Sequence, residues 1–164
     1  MNYKGQIVDQ DYQKAFKLYS LAAEQGDQKA QYNLGVLYRR AQGITQDHGK
    51  ALAWFLAAGE QGYAIAQFTL GGIYENGQGV PQDYQNAFKW YTLAAEKNEP
   101  MAQSNLGHIY ANEQTGKLDY VQAHKWFDIS KAKEKENIEK LMSPNQITEA
   151  QKLSREWINK HKKH

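Results

Sequence analysis

The chain has 164 residues and a net charge of only +2, and it is 41% hydrophobic and 12% aromatic. That composition supports a packed core and argues against disorder. The lack of any cysteine excludes a disulfide framework, a cysteine-zinc site and thiol catalysis. No apolar run approaches the roughly 20 residues of a membrane helix, and no charged-then-apolar leader precedes Asp11, so no signal peptide is expected in this chain. Residues 131–164 carry nine Lys or Arg against five Asp or Glu, and the rest carries eleven against thirteen. A slightly acidic body lacks the basic stripe that neutralising roughly 6 to 10 phosphates requires. Nucleic acid is therefore not an expected partner, and the basic end reads as a solvated closing helix.

In chain order, residues 5–10 (GQIVDQ) match 77–82 (GQGVPQ) and are expected to be loop left from a missing or degenerate earlier unit. From Asp11 onward the chain repeats every 36 residues without a gap: Asp11, Asp47, Asp83 and Asp119, then Ala15, Ala51, Ala87 and Ala123. Tyr19, Phe55, Tyr91 and Phe127 keep the step, as do Leu34, Leu70, Leu106 and Met142, with Gly35, Gly71 and Gly107 beside the first three of these. A period of this size marks stacked supersecondary units, because one unit cannot bury its own apolar face.

The third unit shows what each unit is. Asp83 suits an N-cap, and Tyr84, Ala87, Phe88, Tyr91, Ala94 and Ala95 recur at helical intervals, with Trp90 widening the apolar arc. Asn98 stands where the earlier units have Gly26 and Gly62, so a left-handed helix end is expected there. Pro100 suits the first position of a second helix, whose inner stripe is Ala102, Leu106 and Ile109, with Tyr110 beside it. The recurring glycine at 35, 71 and 107 predicts a close approach of two helix backbones. In the longer connections Gly43, Gly77 and Gly79 supply positive backbone angles, while Ile44 and Val80 pin the loop. The third such loop departs, with Glu113 and Thr115 in place of glycines.

The predicted fold is all-α: antiparallel helix pairs in a single repeat domain over 1–164, with repeats at about 11–46, 47–82, 83–118 and 119–143. Ser143-Pro144-Asn145-Gln146 resembles a capping box and opens a capping helix over 144–162, with Ile147, Ala150, Leu153, Trp157 and Ile158 on one face. The first helix is expected to have no second helix before it, leaving apolar surface uncovered, so either the chain has been trimmed or that N-terminal edge pairs with something, self-association included.

Catalytic patterns are sparse. The histidines at 48, 108, 124, 161 and 164 have no metal-ligand spacing. His48 and His108 read as substituted surface positions, and His161 and His164 as the end of a frayed basic tail. Ser130-Lys-Ala-Lys133 has the S-x-x-K spacing of serine acyl-transfer enzymes but lacks their S-D-N and K-T-G companions. There is no phosphate loop, G-x-S-x-G or H-E-x-x-H, and Gly77-x-Gly79 follows a helix and is a turn. No catalytic, cofactor or metal residue is assigned.

Asp-Tyr-x-x-Ala followed by Trp-Tyr-x-x-Ala-Ala-Glu, then Ala-Gln-x-x-Leu-Gly-x-x-Tyr and the Gly-x-Gly-Val-x-x-Asp loop, resemble the Sel1-like repeat (SLR) family, relatives of the tetratricopeptide repeats. The resemblance covers roughly residues 5–142. It implies a right-handed α-α superhelix (solenoid) with the first helix of each pair lining the concave side. It also implies a non-enzymatic scaffold or adaptor, often in bacterial envelope or secretion settings, with periplasm and cytoplasm both open. An immunity or chaperone-like partner of a secreted bacterial effector is an alternative. A cell-wall or β-lactam hydrolase, as in a cysteine-rich branch of the family, is a third, and the small residues at Ala22, Ala58, Ala94, Ala30, Ala66 and Ala102 stand where that branch has its disulfides.

Subtracting the core leaves one outward column on each first helix: Gln13-Lys17-Ser20-Glu24, Gly49-Ala53-Leu56-Glu60, Gln85-Lys89-Thr92-Glu96 and Val121-Lys125-Asp128-Ala132. If these helices line the concave side, the expected partner-binding residues for a protein or peptide are Lys17, Lys89 and Lys125 around an apolar notch at Gly49, Ala53 and Leu56.

Overall fold

The computed structural model describes residues 3–42 and 44–162, with the backbone alone for residues 3–10 and Gln114. The chain forms two compact units, one ending at Asp83 and one starting at Tyr84, and no strand occurs among the described residues. The first unit holds α1 (Tyr3–Glu24), α2 (Gln28–Arg40), α3 (His48–Glu60) and α4 (Ala64–Asn76). The second holds α5 (Tyr84–Glu96), α6 (Pro100–Ala111), a 3-10 turn (Glu113–Thr115), α7 (Tyr120–Ser130), α8 (Lys135–Glu139) and α9 (Pro144–His161).

The tight turns after α1, α3 and α5 share one device. Gly26, Gly62 and Asn98 take φ of 90°, 88° and 62°, the left-handed region that ends helices. The following amides of Asp27, Tyr63 and Glu99 then donate to Ala22, Ala58 and Ala94 at 3.0–3.1 Å. The longer connections share another: the amides of Asp47, Asp83 and Asp119 donate to the carbonyls of Tyr38, Tyr74 and Tyr110 at 3.1, 2.8 and 2.8 Å. Gly77 and Gly79 have the expected positive φ, while the expectation for Gly43 lies outside the described residues. In the first two loops Gln46 and Gln82 donate from their side chains to Arg39 and Glu75 carbonyls at 2.8 Å. The third loop has Leu118 there, and instead Thr115 Oγ1 sits 2.7 Å from the carbonyls of Ile109 and Asn112.

Residues 5–10 are helix rather than loop, being part of α1. Their likeness to 77–82 lacks the two residues that break a helix there, since Ile7 and Asp9 replace Gly79 and Pro81. Asp11 therefore lies inside α1 and caps nothing. Asp47 and Asp119 do cap, accepting from the amides of Lys50 and Gln122 at 2.9 and 3.1 Å.

The recurring helical glycine has a more specific role than close helix backbones. A Cβ on Gly35 would stand 2.8 Å from the Phe55 ring, and one on Gly107 would stand 2.5 Å from the Phe127 ring. Each glycine is the slot that receives an aromatic ring from the next first helix. Both rings are essentially inaccessible to solvent.

The fourth repeat closes the chain by departing from the period. α7 stops at Ser130, where Lys131 takes φ 58°, although the 36-residue step would carry the helix to 132. No Gly or Asn occupies position 134, and the turn forms early with the Ala132 amide on Phe127 O at 2.8 Å. Ala132, expected on the outward column, instead packs half-buried against Ala123, Phe127 and Ile138, beside Met142. The five-residue α8 stands in place of a second helix. α9 opens with the expected box, Ser143 Oγ accepting from the Gln146 amide and Gln146 Oε1 from the Ser143 amide. Its Ala150 and Ser154 are buried, and Trp157 meets the Trp126 ring 5.7 Å away at 67°.

Candidate partner-binding surface

In the first unit, the first two turns of α3 present Gly49 and Ala53 to solvent, with Leu56 half-buried one turn further on. Leu56 is more enclosed than an outward column implies. Asp47 holds the start of this helix. Its carboxyl lies below the usual carboxylate range because it accepts from the Lys50 amide, and the Lys50 ammonium adds to the effect. Lys17 is exposed on α1. Beside it, Leu18 and Leu21 are 69% and 59% exposed, so α1 carries more bare apolar surface than its column Gln13-Lys17-Ser20-Glu24 shows.

In the second unit both column lysines lie against the tryptophan that follows them. Lys89 Nζ is 5.7 Å from the Trp90 ring centre, and Lys125 Nζ is 4.5 Å from that of Trp126. Such cation–π contacts contribute about 0.5–1 kcal/mol at exposed sites and hold the ammonium close to the helix surface. Burial pulls the Lys125 ammonium below its ordinary value, with the Glu96 carboxylate opposing it. The Lys-Trp pairs were visible in the sequence, but adjacent residues on a helix ordinarily face apart, and the lysine stems fold back across that gap.

Asp128, the acidic member of the fourth column, is not an outward group. It bonds Lys135 Nζ at 2.7 Å and accepts from the Ser154 hydroxyl at 2.5 Å. His124, on the same helix, is fully buried with Nε2 2.7 Å from Glu139 Oε1. His48 and His108 are exposed as expected. His161 is not frayed: it stacks on Trp157 at 3.9 Å, while His164 lies outside the described residues. Ser130 lies at the end of α7 with Oγ 3.3 Å from Phe127 O, and no group of histidine, aspartate and glutamate capable of holding a metal occurs among the described residues. No helix among them is long and apolar enough to cross a membrane.

Helix pairs with recurrent turns, glycine slots and a capping helix define an α-helical repeat protein of the solenoid class. The chain belongs to the Sel1 repeat family, whose model matches residues 1–27, 28–63, 64–99 and 100–133. These matches keep the 36-residue step, with the units from 28 onward opening on the second helix of each pair. The chain is similar to the protective antigen c5321 of uropathogenic Escherichia coli, which displays an SLR fold, at 38% identity and a TM-score of 0.81 over 91% of this chain and 33% of that one. It is also similar to a Sel1 repeat protein from Oxalobacter formigenes, at 27% identity and a TM-score of 0.67 over 86% of this chain and 61% of that one. The chain thus spans about a third of the first relative and three fifths of the second. Among curated proteins, none matches. Sel1 repeat proteins generally act as protein–protein interaction scaffolds, and their fold is typically non-catalytic.

Proposed function

We propose that this chain is a scaffold that binds a protein or peptide partner along the first helices of its repeats, the side that the family resemblance makes concave. The observation that carries this reading is the exposed pair Gly49 and Ala53 beside half-buried Leu56. Together they make an apolar stretch where the other three columns carry a lysine. An apolar group of the partner seats there, and acidic groups lie near Lys17 in the first unit and near Lys89 and Lys125 in the second. Exposed ion pairs contribute only about 0.2–1 kcal/mol each, against roughly −12 kcal/mol for nanomolar binding. The apolar anchor therefore supplies much of the affinity, as central hot spots do.

The chain is proposed to have no catalysis of its own. Ser154 is fully buried and spends its hydroxyl on Asp128 rather than on a histidine, and Ser130 ends a helix without a base bonded to it. The test is the affinity of a partner co-purified from the host for the wild-type chain and for Leu56→Glu and Ala53→Arg. Both variants are expected to lose at least a hundredfold in affinity, roughly 2.7 kcal/mol, while keeping the helical circular dichroism. Unchanged affinity in the exposed Ala53→Arg variant would remove this surface.

A further inference from the structure

The second unit contains a recess of about 230 Å³ where the turn before α6, the end of α7 and the last turns of α9 meet. It is lined by apolar Ile129, Trp157 and Ile158, by Lys131, His161 and Lys162, and by the neutral Asn98 and Gln103, with no acidic residue in the lining. The apolar lining is held in place before any ligand arrives. Trp157 is clamped between the stacked His161 ring, 3.9 Å away at 17°, and the edge contact with Trp126. His161 Nδ1 lies 2.9 Å from the Trp157 carbonyl, an acceptor only, so Nδ1 donates to it and fixes the ring over Trp157. Lys131 is fixed at its station by the left-handed turn that ends α7.

Sites for whole small molecules usually run to roughly 300–1,000 Å³, so this recess takes a single residue. It calls for an apolar group and an anion within that one residue. An internal aspartate or glutamate supplies the anion without the apolar side chain, and an internal leucine the reverse. Among unmodified residues, only a chain-terminal one carries both on one Cα. We propose that the recess binds the C-terminal residue of a partner polypeptide ending in an aliphatic or aromatic side chain. That side chain lies on Trp157, and its α-carboxylate accepts from Lys131 and Lys162. The residues are distinct from those of the first-helix surface, so this site stands or falls independently of it.

The experiment uses the full chain, ¹⁵N-labelled, titrated with acetylated tripeptides ending in Leu or Phe as free acid and as amide, while the Trp157 indole N–H is followed by NMR. The free acids are expected to shift that signal with millimolar or tighter affinity, and the amides to bind at least tenfold more weakly. The double variant Lys131→Glu, Lys162→Glu alters two exposed side chains, and its dispersed spectrum checks that it folds. It is expected to bind the acids at least tenfold more weakly. No shift up to about 10 mM acid, equal binding of acid and amide, or undiminished binding by the double variant would overturn the proposal.

Discussion

Gly107 has a backbone any residue could adopt, yet only glycine fits beside the Phe127 ring. Replacing it with alanine gains the roughly 1 kcal/mol by which alanine exceeds glycine in helix propensity, but it sets a methyl 2.5 Å from a ring that is almost fully buried. Overpacking of this kind costs about 1–3 kcal/mol, so Gly107→Ala is expected to lower stability by urea unfolding; a rise would show that the ring yields freely. A second recurrent residue works through hydrogen bonds. Gln31, Gln67 and Gln103 are all buried, and each donates from Nε2 to a carbonyl near the end of the preceding helix, Ala23, Gly59 and Ala95, at 3.2, 2.9 and 3.3 Å. The period marked both positions as constant in the sequence. It did not show that the glycine receives a ring, or that the glutamine is a clamp, because both partners lie on a neighbouring helix and only its docking reveals them.

At the scale of elements, the closing segment is held by a polar cluster that no local pattern announced. Asp128 on α7 bonds Lys135 at the start of α8 and Ser154 on α9, while buried His124 reaches Glu139 at the end of α8. Burial alone would raise the Asp128 carboxyl, but the bonds from Lys135 and Ser154 and the nearby positive charge outweigh it and hold it below the carboxylate range. Lys135 is raised in turn, mainly by its bond to Asp128. A depressed carboxyl contributes stability above its unfolded value of about 3.9, and that contribution is lost as pH falls through the folded value. The raised ammonium contributes below about 10.4 and loses that contribution as pH rises through its own folded value. Asp128→Asn is therefore expected to destabilise the chain at neutral pH, with the gap from wild type closing below about pH 4 in urea unfolding. A gap that stays constant with pH would show that the carboxylate charge is immaterial. The start of α9 was legible from Ser143, Pro144 and Gln146, since a capping box acts within four residues. The early end of α7 and the inward turn of Asp128 were not, because the outward column assumed that the period continued where the sequence had already abandoned it.

At the scale of the whole molecule, the 36-residue period carried the fold class because the apolar positions, turn residues and loop glycines all agreed with one helix-pair unit. The surface was less legible. A column of residues on a helix gives direction but not depth: it placed Lys17, Lys89 and Ala53 in solvent, while Leu56 and Lys125 turn out to be half-buried. The most direct test of the account is photo-crosslinking in the host with a benzophenone amino acid placed singly at Ala53, on the first helix of its pair, or at Lys29, an exposed position on a second helix. A discrete protein adduct is expected from position 53 and none from position 29. An adduct from position 29 alone would contradict it.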